Sequence, residues 1–377
     1  MLRYILLLNP VYVTLFWSIA LNNYRGKNKV PQLFLGKFML FAALIYISHF
    51  IYFAPLPSLY PYIDPFYQYA SLMVYPMYYI YFRLLTVDEK FSFKIHSRYL
   101  AIPTILTCLY GLGILFTPAK DDITWLFDRS FNSDYIGIQY LKVIYVIIRI
   151  TFIVQVIITT IAIYKLIMKY GRKAEQYYSN LEDSGTFKVL LLNHLMFFTS
   201  ISALVLEILG RDFFKNQNTY LFIASVIFST MLFLTGWFGI RQKTLNPTFE
   251  LIPEPENTNQ IENFTIDTQK KLLHKVLYLY HHKKVYLNSR LNIQDVAKEI
   301  GTNRSYISSI INSEFNQNFC TFTNNYRVDE LKKIIAKDPG LSYAVLAESC
   351  GFGSVDSLKR AVLQKEGMPR SDWKKSL

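Results

Sequence analysis

The sequence predicts an all-α protein in two parts, a bundle of seven transmembrane helices followed by a polar domain that contains two helix-turn-helix motifs. Three observations support this fold class. Apolar segments of membrane-spanning length fill about the first two thirds of the 377 residues, and 52% of all residues are hydrophobic, which is high for a soluble protein. The last part of the chain is polar and basic. Within it, a pattern of short helix, glycine and short helix occurs twice.

The predicted spans form a transmembrane domain over residues 1–243. A bilayer core of about 30 Å needs about 20 apolar residues per helix, and tyrosines and phenylalanines crowd the ends of the runs, as interfacial aromatic residues do. The fifth run is the longest and is expected either to tilt or to continue beyond the membrane. The seven runs are 2–21, 33–54, 66–86, 99–117, 136–165, 187–209 and 219–240.

The charges of the loops predict the orientation of the spans. The loops 22–32, 87–98 and 165–188 hold 11 Lys and Arg residues, whereas the alternate loops hold 4. Because positively charged loops stay on the cytoplasmic side, the N-terminus is expected outside and the C-terminal domain in the cytoplasm. A cleaved signal peptide is disfavoured as an explanation of the first run, since no A-x-A site follows it.

Residues 244–264 are predicted to be a linker, because prolines and polar residues there discourage helix and core formation. Residues 265–377 then form a basic domain with 18 Lys and Arg residues against 11 Asp and Glu residues. Such a balance suits nucleic acid, anionic lipid headgroups or plain solvation. Charge alone therefore leaves these three explanations open.

The first helix-turn-helix motif is predicted within residues 291–315. Gly301 is expected to end its first helix, and Thr302 or Asn303 is expected to cap its second helix. A short helix, a tight turn with glycine and a second helix make up the helix-turn-helix arrangement. The apolar positions that recur at helical spacing are Ile293, Val296, Ala297, Ile300, Tyr306, Ile307, Ile310 and Ile311.

The second motif is predicted within residues 341–363, where the same pattern returns. Gly351 follows the first turn glycine by 50 positions, and Ser354 is expected to cap the second helix. Val345 is expected on the inner face of the first helix, beside the two residues that follow it. Residues 319–337, between the two motifs, are predicted to form one longer helix.

Four stretches of this domain match a known pattern: V-A-K-E-I-G-T-N-R-S-Y-I-S (296–308), N-N-Y-R-V-D-E-L-K (324–332), A-E-S-C-G-F (347–352) and K-E-G-M-P (365–369). They resemble the DNA-binding domain of AraC/XylS-type regulators, in which a connecting helix joins two helix-turn-helix motifs. The resemblance implies sequence-specific binding of double-stranded DNA, without a cofactor and without enzymatic activity. The whole arrangement is similar to membrane-bound AraC-type regulators of Bacteroidetes-like bacteria, which implies a multi-pass protein of the bacterial inner membrane.

The resemblance assigns the second helix of each motif as a recognition helix. Two such helices would enter successive major grooves about 34 Å apart. Arg360 is expected to bind guanine and Asn312 adenine, since those side chains match the base edges; plain solvation is the alternative for every polar residue. The candidate DNA-binding residues are Ser305, Tyr306, Ser308, Ser309 and Asn312 on the first helix, and Ser354, Val355, Ser357, Lys359 and Arg360 on the second.

Ionisable residues within predicted spans usually have a role, because they are costly to bury in lipid. Lys142 and Arg149 lie seven positions apart on one face of the fifth helix. One hypothesis is a ligand pocket, open to the outside, in which both cations and Glu207 line the site of an anion. The other is structural, with Lys142 paired to Glu207 and Arg149 bonded to neighbouring helices.

The sequence favours a one-component transcription regulator whose bundle senses a small-molecule or protein stimulus. Its partners would be double-stranded DNA and the lipid bilayer, and a homodimer is left open. The alternative is a transporter or channel-like membrane protein with a DNA-binding regulatory tail, although no inverted repeat is evident. A membrane enzyme is disfavoured because no catalytic cluster is evident, and the bundle as a mere anchor stays open. Three cysteines without zinc-ligand spacing predict neither a disulfide framework nor a metal site.

Overall fold

The structure is a computed structural model, and the residues that it describes are helical apart from loops and one isolated bridge between Tyr178 and Asn292. The all-α class is thereby confirmed for that part of the chain. The described residues are 2–26, 29–54, 56, 58–88, 90–128, 131, 133–182, 186–209, 213, 218–242 and 266–367. The chain forms two compact units, a bundle unit of Met1–Ile167 with Lys188–Pro247 and a C-terminal unit of Met168–Phe187 with Thr248–Leu377.

Helices lie at all seven of the predicted apolar runs. In chain order they are α1 (Leu2–Asn22), α2 (Val30–Phe53), α3 (Tyr60–Thr86), α4 (Phe93–Phe116), a short α5 (Ala119–Phe127), α6 (Ile136–Tyr177), α7 (Thr186–Leu209) and α8 (Asn218–Arg241). Among the described residues, five of these helices, α1, α2, α4, α6 and α8, are long and apolar enough to cross a membrane. Membrane crossing by α3 and α7, and with it the count of seven spans, stays a prediction.

The composition of α3 has a structural reason. Most of this helix is buried inside the bundle unit, where it packs against α2 and α4. The carboxylate of Asp64 is fully buried and accepts hydrogen bonds from the hydroxyls of Tyr60 at 2.7 Å and Tyr110 at 2.5 Å. The hydroxyl of Tyr78 donates to the carbonyl of Leu192 in α7 at 2.8 Å. A helix enclosed by protein in this way can carry polar groups that a lipid-facing helix cannot.

Helix α6 is much longer than a span requires. Its 42 residues extend over about 63 Å at 1.5 Å per residue, roughly twice the thickness of a bilayer core. The helix continues beyond the predicted run to Tyr177, and tilting within the membrane and continuation into the cytoplasm both stay predictions. The last residues of α6, from Met168 to Tyr177, belong to the C-terminal unit.

The C-terminal unit contains the predicted pair of helix-turn-helix motifs. Its elements are α9 (Ile266–His281), a 3₁₀ turn (Val285–Leu287), α10 (Ile293–Ile300), α11 (Arg304–Phe315), α12 (Phe319–Lys337), α13 (Tyr343–Ser349) and α14 (Val355–Glu366). The first motif is α10 and α11, and the second is α13 and α14. Helix α12 has the same bounds as the connecting helix predicted from sequence.

Two apolar clusters hold the motifs, and α12 contributes to both. Phe319 and Phe322, near its start, pack with α9, α10 and α11, whereas Val328, Leu331 and Ile335 pack with α13 and α14. The expected inner-face position of Val345 is wrong, because this side chain is 44% exposed while Leu346 and Ala347 are buried. In the short α13, the stripe that faces α14 runs through these two residues to Cys350.

The domain bounds 1–243 and 265–377 stay a prediction. The predicted linker 244–264 lies outside the described residues, as does the end of the chain after residue 367. Residues 168–182, which the sequence assigns to a loop region of the membrane domain, belong to the C-terminal unit.

Candidate nucleic-acid interface

The first helix-turn-helix motif is built by local capping and a turn glycine. The side chain of Asn292 accepts from the Asp295 backbone N–H at 3.1 Å, and the Asp295 carboxylate accepts from the Asn292 N–H at 3.1 Å, so a capping box starts α10. Gly301 ends it with φ +76°, a conformation that favours glycine. Asn303 then caps α11 by accepting a hydrogen bond from the Ser305 N–H at 3.1 Å. Of the two predicted caps, Thr302 and Asn303, it is therefore Asn303 that caps the helix.

The second motif repeats this construction. Ser342 caps α13, and Ser354 and Ser357 form a capping box at the start of α14, with both backbone-to-side-chain distances at 3.1 Å. Gly351 has φ +78°, and a Cβ there would lie 2.5 Å from the backbone oxygen of Leu287. Glycine is therefore required at position 351 for two reasons, the positive backbone angle and the close approach of the 3₁₀ turn.

The fully buried guanidinium of Arg327 joins α12 to the 3₁₀ turn and to Ser179. It donates to the backbone carbonyls of Tyr286 at 2.7 Å and Asn288 at 2.9 Å, and to the side-chain oxygen of Asn324 at 3.1 Å. Its remaining two N–H groups donate to the carbonyl and the hydroxyl of Ser179, both at 3.0 Å. All five guanidinium donors are thus used. A buried cation is tolerated only when it is satisfied in this way.

The structure places the predicted DNA-binding residues of α11 away from its buried face. Ile307, Ile310 and Ile311 are buried in the domain. Asn312 is exposed, and the other candidates on this helix are half-buried. These are Ser305, Tyr306, Ser308 and Ser309. The helix therefore has the two faces that the assignment needs, and DNA contact by the five residues stays a prediction.

On α14, the candidates divide into two kinds. Ser354 and Ser357 are bound to each other's backbone in the capping box, and Val355 packs against the second apolar cluster, so these three contribute to the fold. Lys359 and Arg360 are exposed. The Lys359 ammonium lies 2.9 Å from the Asp356 carboxylate and holds the pKa of that carboxyl below its ordinary value. Arg360 Nη2 lies 3.7 Å from a carboxylate oxygen of Glu182.

Sequence reasoning missed two parts of this site. Arg327 was matched to the family pattern without a role, although its spacing of four from Leu331 and eight from Ile335 places it on the buried stripe of α12. Ser179 and Glu182 gave no local signal, since their contacts lie more than 100 positions away along the chain.

Two buried thiols lie in the C-terminal unit, Cys320 on α12 and Cys350 at the end of α13. Burial raises the pKa of Cys320 to about 11 and that of Cys350 to about 12, so both stay protonated at neutral pH. Among the described residues, no group of three or more His, Cys, Asp or Glu side chains is placed to hold a metal ion.

Two of the three candidate ligand residues of the bundle, Lys142 and Arg149, lie on one helix, α6. Both are half-buried, and the guanidinium of Arg149 lies 5.7 Å from the ring centroid of Tyr145. Both cations also interact with other groups. The side chain of Glu207 lies outside the described residues, so the Lys142–Glu207 pair and the anion pocket both stay predictions.

Comparison with known proteins supports the assignment of the C-terminal motifs. A family model described as a helix-turn-helix domain matches residues 296–376. The chain is also similar to an uncharacterized HTH-type transcriptional regulator, YtdP, of Bacillus subtilis (strain 168), with 22% identity over 242 residues. The match includes 55% of this chain and 31% of that protein, so the chain spans about a third of its relative's length. No solved structure matches the chain. These similarities support a DNA-binding transcription regulator, a class that is typically non-enzymatic.

Proposed function

We propose that the chain is a membrane-embedded, one-component transcription regulator in which α11 and α14 read DNA. The observation that carries this proposal is the pairing of the two motifs on one connecting helix, which contributes to the apolar clusters of both. The buried guanidinium of Arg327 on that helix is bonded to the 3₁₀ turn before the first motif and lies 5.7 Å from the ring centroid of Phe352 in the second. Each recognition helix then presents unburied polar side chains opposite an apolar face. A tandem arrangement of this kind suits two successive major grooves.

Within the interface, exposed side chains take different tasks. Asn312 and Arg360 have the donor and acceptor geometry for adenine and guanine edges, and both are exposed. Lys359 is better suited to a phosphate, because an ammonium is a point charge and lacks the planar pair of N–H donors with which a guanidinium binds a base edge. Phosphate contacts position the protein and base contacts specify the site.

The membrane part of the proposal rests on five long apolar helices and on the loop charges. The N-terminus is outside, and the C-terminal unit is in the cytoplasm of a bacterium, at its inner membrane. A stimulus shifts the regulator only if it binds two states of the bundle with unequal affinity. Lys142 and Arg149 are the proposed contacts of an anionic stimulus.

The test is genome-wide mapping of the DNA bound by the full-length protein in cells, with membrane fractionation of the same culture. The protein should sediment with inner membranes and enrich discrete sites. The double variant Asn312→Ala/Arg360→Ala should lose this enrichment. Lys337→Ala is the control, since it removes one exposed positive charge outside both recognition helices. A full-length protein that enriches no DNA, or a double variant that enriches the same sites, would refute the proposal.

A further inference from the structure

Residues 175–182, the last three residues of α6 and the five that follow them, belong to the C-terminal unit with the helix-turn-helix motifs. At the centre of this 175–182 segment, Ser179 is fully buried. Its N–H and its hydroxyl donate to the carbonyl of Leu291 at 3.1 Å and 2.6 Å, and its carbonyl and hydroxyl accept from Arg327. The segment is therefore bonded to the same buried guanidinium that joins the connecting helix α12 to the 3₁₀ turn.

On one side, the segment reaches the start of the second recognition helix. The side chain of Asn180 is packed so closely against Gly353 that a Cβ there would lie 1.8 Å from its Nδ2 atom. The Glu182 carboxylate accepts a hydrogen bond from the hydroxyl of Ser354, the cap of α14, and lies 3.7 Å from Arg360 Nη2. Two candidate DNA-binding residues are thus occupied by one internal anion.

On the other side, the segment reaches the starts of α11 and α12. The guanidinium of Arg304, the first residue of α11, lies 5.8 Å from the ring centroid of Tyr177. The side chain of Asn318, the cap of α12, donates to the Glu175 carboxylate at 3.2 Å. Burial lowers the pKa of the Arg304 guanidinium below its ordinary value, with Tyr177 acting in the opposite direction. The segment consequently touches the first turn of three helices.

We infer that the 175–182 segment is an internal ligand of the tandem motifs, and that its Glu182 carboxylate competes with DNA at the start of α14, with a phosphate for the helix N-terminus and with a base edge for Arg360. The inference rests on the proposed function. A helix N-terminus favours an anion, and a phosphate or a carboxylate satisfies it equally well, while an arginine paired with a carboxylate does not bind guanine at the same time. Ser354 and Arg360 cannot hold Glu182 and DNA at once, so the two ligands compete. Because the segment begins at the end of α6, a displacement of that helix also moves the competitor.

The test compares Glu182→Gln with Glu299→Gln in the full-length protein, reconstituted in lipid nanodiscs. Both changes remove one negative charge, but Glu299 is paired with Lys283 at the surface and touches neither recognition helix. The probe is sheared genomic double-stranded DNA at low salt, since phosphate contacts do not depend on sequence. Glu182→Gln should bind about 2- to 5-fold more tightly than the wild type, the size of effect expected for an exposed charge at a helix terminus. Glu299→Gln should bind as the wild type does.

Hydrogen exchange of the wild-type protein supplies a second measurement that needs no variant. DNA should accelerate exchange at residues 180–182 while it slows exchange in α11 and α14. Equal affinities of the two variants, or slower exchange at residues 180–182 with DNA, would overturn the inference while leaving DNA binding intact. If neither the wild type nor the variants bound DNA, the proposed function would be refuted, and the competition with it. If all of them bound DNA with equal affinity, only the competition would be refuted.

Discussion

Replacing Leu358 by alanine tests the packing on which the second recognition helix depends. This side chain has no exposed surface and lies in the apolar cluster formed by α12, α13 and α14, with Leu331, Leu346, Phe352 and Val362 among its members. A buried Leu-to-Ala change costs about 2–5 kcal/mol, because transfer energy is lost and a cavity remains. At about 1.4 kcal/mol per tenfold change, local opening of this motif should become about 30- to 4,000-fold more frequent.

Leu363→Ala is the matched control, since the same change is made on the same helix at a side chain that is 50% exposed. Surface substitutions usually stay within about 0.5 kcal/mol. The assay is amide hydrogen exchange of α13 and α14 in the full-length protein, which reports local opening free energies. Faster exchange with Leu358→Ala alone is the expected result. Equal effects of the two variants would show that a different side of α14 packs against α12 and α13. The assignment of Lys359 and Arg360 to its exposed side would then be refuted.

Four further predictions address the interface, the topology, a buried carboxyl and the bundle. Arg360→Ala should relax preference at one base position and cost about 1–3 kcal/mol, measured as binding to a set of single-base variants of a mapped site; a uniform loss would mean a phosphate contact. Reporter fusions near Asp121 and at Leu377 should report opposite sides of the membrane, and same-side signals would refute the proposed topology. Burial raises the pKa of Asp122 in α5 from 3.8 to about 7, and the charge of Asp121 is a smaller cause. The folded state therefore binds this proton more tightly than the unfolded state does, so the melting temperature of the protein should fall as pH rises through about 7. Asp122→Asn should abolish that dependence and Asp134→Asn should keep it. If Arg149 binds an anion, Arg149→Gln should abolish the response to the stimulus while the amount of protein in the membrane stays normal. If Arg149 is structural, the same change should lower the amount of folded protein. A normal amount of protein with a normal response would exclude both roles.

The helices of the C-terminal unit were predictable because their signals are local. Glycines at 301 and 351, the caps Asn303 and Ser354, and an apolar residue every three or four positions act within one or two turns of chain. The connecting helix was predicted at 319–337 and begins and ends at those residues. Val345 was misplaced because a helix of seven residues has too few turns for its periodicity to define one face.

The features that escaped prediction depend on partners distant in sequence. The burial of the Asp64 carboxylate in α3 depends in part on the hydroxyl of Tyr110, which lies 46 positions away. The five bonds of Arg327 join α12 to carbonyls that lie 39 to 148 positions away, apart from the one to Asn324. Residues 175–182 have neither apolar periodicity nor a motif, so their place against the recognition helices follows from tertiary contacts alone.

The bonds of the 175–182 segment differ greatly in strength, and this difference determines which end can yield to DNA. At Ser179, a fully buried residue, each hydrogen bond to the guanidinium involves a charged donor and contributes about 1.5–3 kcal/mol, and separation would leave a buried cation unsatisfied. The Glu182–Arg360 pair is 38% and 64% exposed, and ion pairs of that kind contribute about 0–1 kcal/mol. A phosphate that approaches α14 therefore displaces Glu182 at little cost, while Ser179 stays bound to Arg327. The segment then acts as a competitor with a fixed anchor, whose local concentration at α14 stays high because its other end does not leave.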